Sequence, residues 1–270
     1  MNDPKISVIM GIYQSKNKDM VRKAIQSIID QTFTEWEFVI CDDGSPDDTW
    51  EFLNKEYGKD ERFVLVRNEQ NGGLRVALNS CLKAASAEYV VRMDADDYSR
   101  EDRLQILYDY VVQHPTIDVV GTAMVSFDEN GSFGVIHPRK LEPKKMDFLH
   151  GSVVAHASTI MKKNSLLRVN GYRVAWETTR CEDTDLYMRM CANGAEFRNL
   201  DEPLYYVRQD RDSVARRKYI NRVKEAVVKL KGFRTLHMPI YCYIFVLKPL
   251  IAGLIPGRLL LKIKRLLMKS

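Results

Sequence analysis

Between residues 5 and 115 the chain four times sets a short, nearly uncharged β-branched run ahead of a stretch with helical periodicity. "KISVIMGIY" (5–13) reads as a buried strand. "MVRKAIQSIIDQTF" follows it, with Val21, Ala24, Ile25, Ile28 and Ile29 on one helix face. "EFVICDDGSPDDT" (37–49) is a second strand running into an acidic turn, where Asp47 or Asp48 is placed to cap the helix "TWEFLNKEY". "RFVLVRN", the turn "NGG" and "LRVALNSCLKAA" make the third unit; "EYVVRM" and "REDRLQILYDYVVQH" make the fourth. Strands that return in the same direction through helices pair in parallel. The rhythm therefore predicts an α/β fold, a mostly parallel Rossmann-like sheet with helices on both faces and right-handed crossovers.

After Pro115 the pattern loosens. "DVVGTAMVSFDENGSFG" reads as strands around an Asn130-Gly131 turn, "HGSVVAHASTIMKK" holds another strand, and "EDTDLYMRMCANG" is a helix ending at Gly194. "AEFRNLDEPLYYVRQ" reads as a further extended pair. The five cysteines form no CxxC pair, which excludes a zinc ribbon and argues for a reducing compartment. No basic segment leads into an apolar stretch at the N-terminus, so no secretory signal is expected.

Charge divides the chain. From Val214 onward 14 Lys or Arg face a single acid, Glu225, giving +13 and leaving −8 for the rest of a chain whose net charge is +5. Residues 240–256 are apolar, but Lys248 and Pro249 interrupt them, and a span takes about 20 residues. Residues 213–270 are therefore expected to form a basic amphipathic tail that lies on an anionic membrane surface. The Leu- and Ile-rich spacing between its charges favours lipid over nucleic acid.

The carboxylates carry the chemistry. Asp94, Asp96 and Asp97 crowd four positions at the end of the fourth apolar run, "CDDGS" follows the second, and the "NGG" turn follows the third. Ligands of parallel α/β sheets bind at the carboxyl ends of strands, so these three elements are expected to converge on one crevice. Such a crevice repels phosphate unless a divalent cation, Mn(II) or Mg(II), stands between them. A solvated turn that caps the next helix is the competing account of "DADD". No P-loop, dinucleotide fingerprint or EF-hand loop is present.

In order and spacing, "SVIMGIY", "SIIDQTF", "EFVICDDGSPDDT", "NGGL", "AEYVVRMDADD" and "GYR…CEDTDLYMRMCANGAEFRNLDEPLYYVR" resemble the family-2 inverting glycosyltransferases of bacterial polysaccharide biosynthesis, which have the GT-A fold. The resemblance covers residues 5 to about 208. It implies a GT-A domain over 1–212, with a nucleotide-sugar-binding half at 5–115 and an acceptor half at 116–212. It further implies a nucleoside-diphosphate sugar, most simply a UDP-sugar, as donor, and a glycan or lipid-linked acceptor at the inner face of the cell membrane. Residue by residue, it assigns Tyr13, Asp43, Gly73, Arg75, Asp94, Asp96 and Glu182 to the nucleotide sugar. Asp43 would meet the base, Asp94 the ribose or its surroundings, and Asp96, with Asp94, the metal. Asp183 would be the catalytic base.

Two departures stand out. Gly11-Ile12-Tyr13-Gln14 replaces the family's Pro-Val-Tyr-Asn, and no histidine follows "YYVR". Arg208, Arg211, Arg216 and Arg217 are the candidates to neutralise the leaving diphosphate instead. His156 is read either as facing the acceptor or as a hydrogen-bonded structural histidine, and Trp176 either as a sugar-stacking residue or as an anchor. A nucleotidyltransferase and a non-catalytic sugar-nucleotide-binding protein are the alternative functions.

Overall fold

A computed structural model describes residues 3–209 and 218–254. Four strands, β1 (Ile6–Ile12), β2 (Trp36–Asp42), β3 (Phe63–Arg67) and β4 (Tyr89–Arg92), alternate with α1 (Lys18–Ile29), α2 (Thr49–Tyr57) and α3 (Leu74–Ala84). All ladders among them are parallel, in the order β3-β2-β1-β4. The expected α/β core is this half. A two-residue strand β5 (Tyr98–Ser99) and α4 (Arg103–Gln113) follow.

The second half turns the sheet into a mixed one. β6 (Val119–Asp128) and β7 (Gly131–Ile136) form the hairpin expected at Asn130-Gly131, and β8 (Ile160–Lys162) bridges β4 to β6 with antiparallel ladders on both sides. After α5 (Lys163–Arg168) and α6 (Glu182–Ala192) comes β9 (Phe197–Arg208), parallel to β6. The segment read as an extended pair is thus one long strand. Its register against β6 shifts around Ala123, where Leu200 and Pro203 oppose consecutive residues of β6. That irregularity takes up Asp201 and Glu202 within the segment read as two extended pieces.

Alternation along β1 divides the core. Ile6, Val8 and Met10 pack on one face with Val21, Ala24 and Ile25 of α1 and Leu104 of α4, whereas Ile9 faces Ala77 and Cys81 of α3. At α2, Asp47 rather than Asp48 serves the helix start, its Oδ1 accepting from the Thr49 backbone N–H at 3.2 Å and the Thr49 hydroxyl at 2.6 Å. Asp48 pairs with Lys18 at 2.9 Å.

The described part of the basic segment contributes α7 (Tyr219–Thr235), a 3₁₀ turn over Ile240–Val246 and α8 (Lys248–Leu254). Among the described residues no helix is long and apolar enough to cross a membrane. α7 joins the body's own core: Phe233, Leu236, Met238 and Cys242 are buried beside Leu186, Tyr187 and Met188 of α6. A Cβ at Gly232 would stand 2.0 Å from Met188 Sδ, so a larger residue there would force the Met188 side chain to move. The segment therefore has an inner face packed on the sheet domain and an outer face, including Ile240, Ile244 and Ile251, left exposed.

Ending the chain after Arg234 removes three of those buried side chains, at roughly 1.5–3 kcal/mol for each large one. The urea midpoint should fall well below that of a chain ending at Leu254. Equal midpoints would show that the segment adds nothing to the core.

Candidate functional site

The carboxyl ends of the parallel neighbours β2, β1 and β4 lie along one edge of the sheet, and Asp43 after β2 holds the glycine turn before α3; each acid is held differently. Asp43, 2% exposed, accepts from the Gly73 and Gly72 backbone N–H groups at 2.6 and 3.1 Å and from Asn68 Nδ2 at 2.7 Å. Its carboxylate thereby holds the glycine loop at the start of α3 in shape. Gly44, beside it, has φ of +68° and would drive a Cβ to 2.6 Å from the Gln70 carbonyl carbon. Only glycine lets the two loops approach so closely. Tyr13 projects from the end of β1, 46% exposed.

Arg75, expected at the donor, reaches across to the turn before α6. Its Nη1 donates to the Ala175 carbonyl and, at 2.9 Å, to Thr178 Oγ1. It ties α3 to the turn that leads into α6.

At the end of β4, Asp94, Asp96 and Asp97 each offer a carboxylate oxygen, all within 4.8 Å of one another. The Arg92 guanidinium grips Asp94 with both terminal nitrogens. Asp97 is buried: its Oδ1 accepts from the Arg208 backbone N–H at 2.7 Å, and its Oδ2 has no hydrogen-bond partner among the described residues. Burial first, then the charges of Asp94 and Asp96, push the Asp97 carboxyl up to about 7. Asp96 opens to solvent on one side yet is crowded by protein; desolvation and then Asp94 raise its pKa too. Hard carboxylate oxygens and one orphaned buried oxygen form a donor set that fits Mg(II) or Mn(II). Asp97 belongs in that set beside the two predicted ligands, and the signal for it was its place as the last acid of "DADD".

The second group of acids stands at the N-terminus of α6. Glu182 and Asp183 are half-buried, and both have raised pKa values, by burial first and in Glu182 next by its neighbour Asp183. Asp183 lines a cavity of about 500 Å³ with Ser152, Val154 and Asn199. Asp185, by contrast, is spoken for: Arg173 Nη2 at 2.5 Å and Arg189 Nε at 2.8 Å neutralise it. Of the two residues with two readings, His156 is the hydrogen-bonded histidine, its Nε2 2.7 Å from the buried Tyr172 hydroxyl. Trp176 is 56% exposed and anchors nothing in the core.

Sequence reasoning missed Arg92 and Arg103. Arg103 is fully buried, donating to Ser99 Oγ at 2.9 Å and to the Arg92 carbonyl at 2.9 Å, and its pKa falls to about 10 through burial. The signal for Arg92 was present: a charge inside the uncharged run "EYVVRM". Of the four candidate arginines, Arg208 lines a recess with Asp96 and Asp97. Arg211, Arg216 and Arg217 lie outside the described residues.

Comparison with known proteins agrees with this architecture. A profile of glycosyl transferase family 2 matches residues 7–169. EpsE of Bacillus subtilis (strain 168), a glycosyltransferase by name, is 36% identical over 257 residues, 94% of this chain and 91% of its own length. An Escherichia coli protein named UDP-Gal:alpha-D-GlcNAc-diphosphoundecaprenol beta-1,3-galactosyltransferase is 28% identical over 237 residues, 85% of this chain and 82% of its own. The S. aureus TarS structure with UDP-GlcNAc matches with a TM-score of 0.67 at 19% identity, over 93% of this chain and 82% of that one, which shows a common fold.

The raised pKa of Asp97 has a consequence for metal-free protein. Because the folded state prefers the protonated acid, that preference is intact below the unfolded pKa of about 3.9 and is lost as pH rises through about 7. In EDTA the melting temperature should fall from about pH 5 to about pH 8, and Asp97→Asn should flatten the decline. Mn(II) should raise the melting temperature more at the upper pH. A flat EDTA profile in the parent protein would contradict the assignment.

Proposed function

Because this chain belongs to glycosyl transferase family 2 and is a glycosyltransferase, we propose that it moves a sugar from a nucleoside-diphosphate sugar, a UDP-sugar, to a glycan or lipid-linked acceptor in polysaccharide biosynthesis. The observation that carries this reading is the pairing of two carboxylate sites: a cation-compatible cluster at the end of β4, and Asp183 in the wall of a separate cavity. The UDP-sugar and the diphosphoundecaprenol acceptor named for the E. coli relative support the choice of substrates. Family membership in turn removes nucleotidyl transfer and a purely binding role as alternatives.

Asp94, Asp96 and Asp97 would hold Mn(II) or Mg(II), which when bound supplies Lewis-acid neutralisation of the donor's diphosphate. Tyr13 would flank the base, and Asp43 would set the Gly72-Gly73 loop against the nucleotide. Arg208 would face the departing diphosphate from beside Asp96. Glu182 would lie on the sugar side of Asp183, and Arg75 would keep the two halves in register by holding the turn before α6.

Asp183 takes the acceptor hydroxyl proton as that oxygen attacks the anomeric carbon. The new C–O bond forms opposite the breaking bond to phosphate, whose electron pair leaves with the nucleoside diphosphate. One displacement inverts the centre, and one base suffices. The nucleotide-sugar half would be 5–115 and the acceptor half 116–212. The exposed outer face of residues 240–254, with the basic residues around it, would rest on the anionic inner face of the membrane.

Asp183→Asn keeps the side chain's shape and helix-start role but cannot accept a proton. It should keep the melting temperature and UDP-sugar affinity of the parent while transfer falls by about 10²–10⁴-fold. In the parent, transfer should rise with pH through an acid limb above the ordinary aspartate value, because burial raises the Asp183 pKa and only the ionised acid is a base. Transfer by Asp183→Asn within about threefold of the parent would move the base elsewhere, and Glu182, unlike the neutralised Asp185, would be next.

A further inference from the structure

The cavity that Asp183 lines has a rim of unusual charge. Arg139, Lys140, His137 and His150 line it beyond the apolar Val154. Lys140 is matched by Asp147 at 2.7 Å and His137 contacts Asp201 at 2.6 Å. Arg139 has no such match: it is exposed and donates to the His150 carbonyl at 3.0 Å, and among the described residues it pairs with no acid. Close by is Lys229, 2% exposed, its ammonium 3.5 Å from the Leu149 carbonyl and 3.8 Å from Glu225, which Arg222 shares at 3.4 Å.

At His150 the rim touches an apolar surface. The His150 ring meets Phe245 edge-on at 5.8 Å between centroids. Phe245, Ile244, Ile251, Ala252 and Lys248 line a shallow groove, with Ile244 and Ile251 largely exposed. The convergence of cations has an electrostatic trace: burial, then Lys248, Arg139 and Lys229, hold His150 below its usual pKa, and only Asp147 opposes them. Unmatched like charges gathered beside a cavity are costly unless an anion joins them. An apolar strip of this kind left in water marks a contact site.

We infer that the cavity and groove together bind the acceptor as a lipid diphosphate: its sugar hydroxyl at Asp183, its diphosphate between Arg139 and Lys248, and its hydrocarbon along Ile244, Phe245 and Ile251. The inference rests on the reading of Asp183 as the base only for the direction in which the acceptor points. A neutral glycan would leave the cations unmatched, and a free sugar phosphate would leave the groove bare. The order base, cavity, cations, apolar strip matches the order sugar, diphosphate, lipid.

Farnesyl diphosphate is the probe, titrated calorimetrically into the full chain in EDTA, so that the β4 carboxylates repel it. It should bind the parent at least about tenfold more tightly than either farnesol or inorganic diphosphate, since it alone engages cations and groove together. Arg139→Gln with Lys248→Gln, both at exposed positions, should weaken it by about tenfold or more, and each single change by less. Asp183→Asn should bind the probe as the parent does, so a failure of the base assignment leaves this result standing and the reverse also holds. Unchanged affinity in the double variant, or equal binding of farnesol or of inorganic diphosphate, would overturn the inference.

Discussion

Arg92 sits on β4 with 4% of its surface exposed, and both of its terminal nitrogens are spent on Asp94 two residues further on. Burial works against its charge, but Asp94 first and then Tyr205 outweigh that and raise its pKa overall. Its field reaches both halves of the site. It draws Asp96 and Glu182 toward their ionised forms and opposes a proton on His156, which burial already keeps neutral. Arg92 thus offsets part of the negative charge of Asp94, Asp96 and Glu182. Removing one partner of a buried pair typically costs about 3–5 kcal/mol, so neither residue is free to vary alone.

Around this pair the fold divides the labour. The parallel half presents loops whose backbone N–H groups are already oriented by Asp43, and the acids at the end of β4. The mixed half supplies a cavity between the β7–β8 connection and the start of α6. Arg75 and β9 link them, the first by gripping the turn before α6, the second by running from the far edge of the sheet to Arg208 beside Asp97. Donor and acceptor would thus meet across a joint that is itself hydrogen-bonded.

How much of this the sequence disclosed follows from how local each signal is. β1 to β4 and their helices were legible because buried parallel strands read as short uncharged runs and helices as a single apolar face. The acids of "DADD" and "CED" were legible by their place at the ends of such elements. What each acid does was not, because Asp43 and Asp185 are claimed by partners far away in sequence or on another turn. The long β9 was hidden by the register shift at Asp201 and Glu202, within the segment that reads as an extended pair. The basic composition of α7 concealed Phe233, whose burial in the cluster of Leu186, Tyr187 and Met188 makes that helix part of the core. The cavity wall between residues 137 and 155 has little regular structure and no periodicity to read.

The role proposed for the carboxylates at the end of β4 is to hold a divalent cation that joins the protein to a diphosphate. Titrating Mn(II) into the chain and following free Mn(II) by electron paramagnetic resonance, with and without UDP, tests it directly. A single saturable site, tightened by UDP and abolished by Asp96→Ala, is the expected result. Mn(II) binding that ignores UDP and survives Asp96→Ala would contradict it.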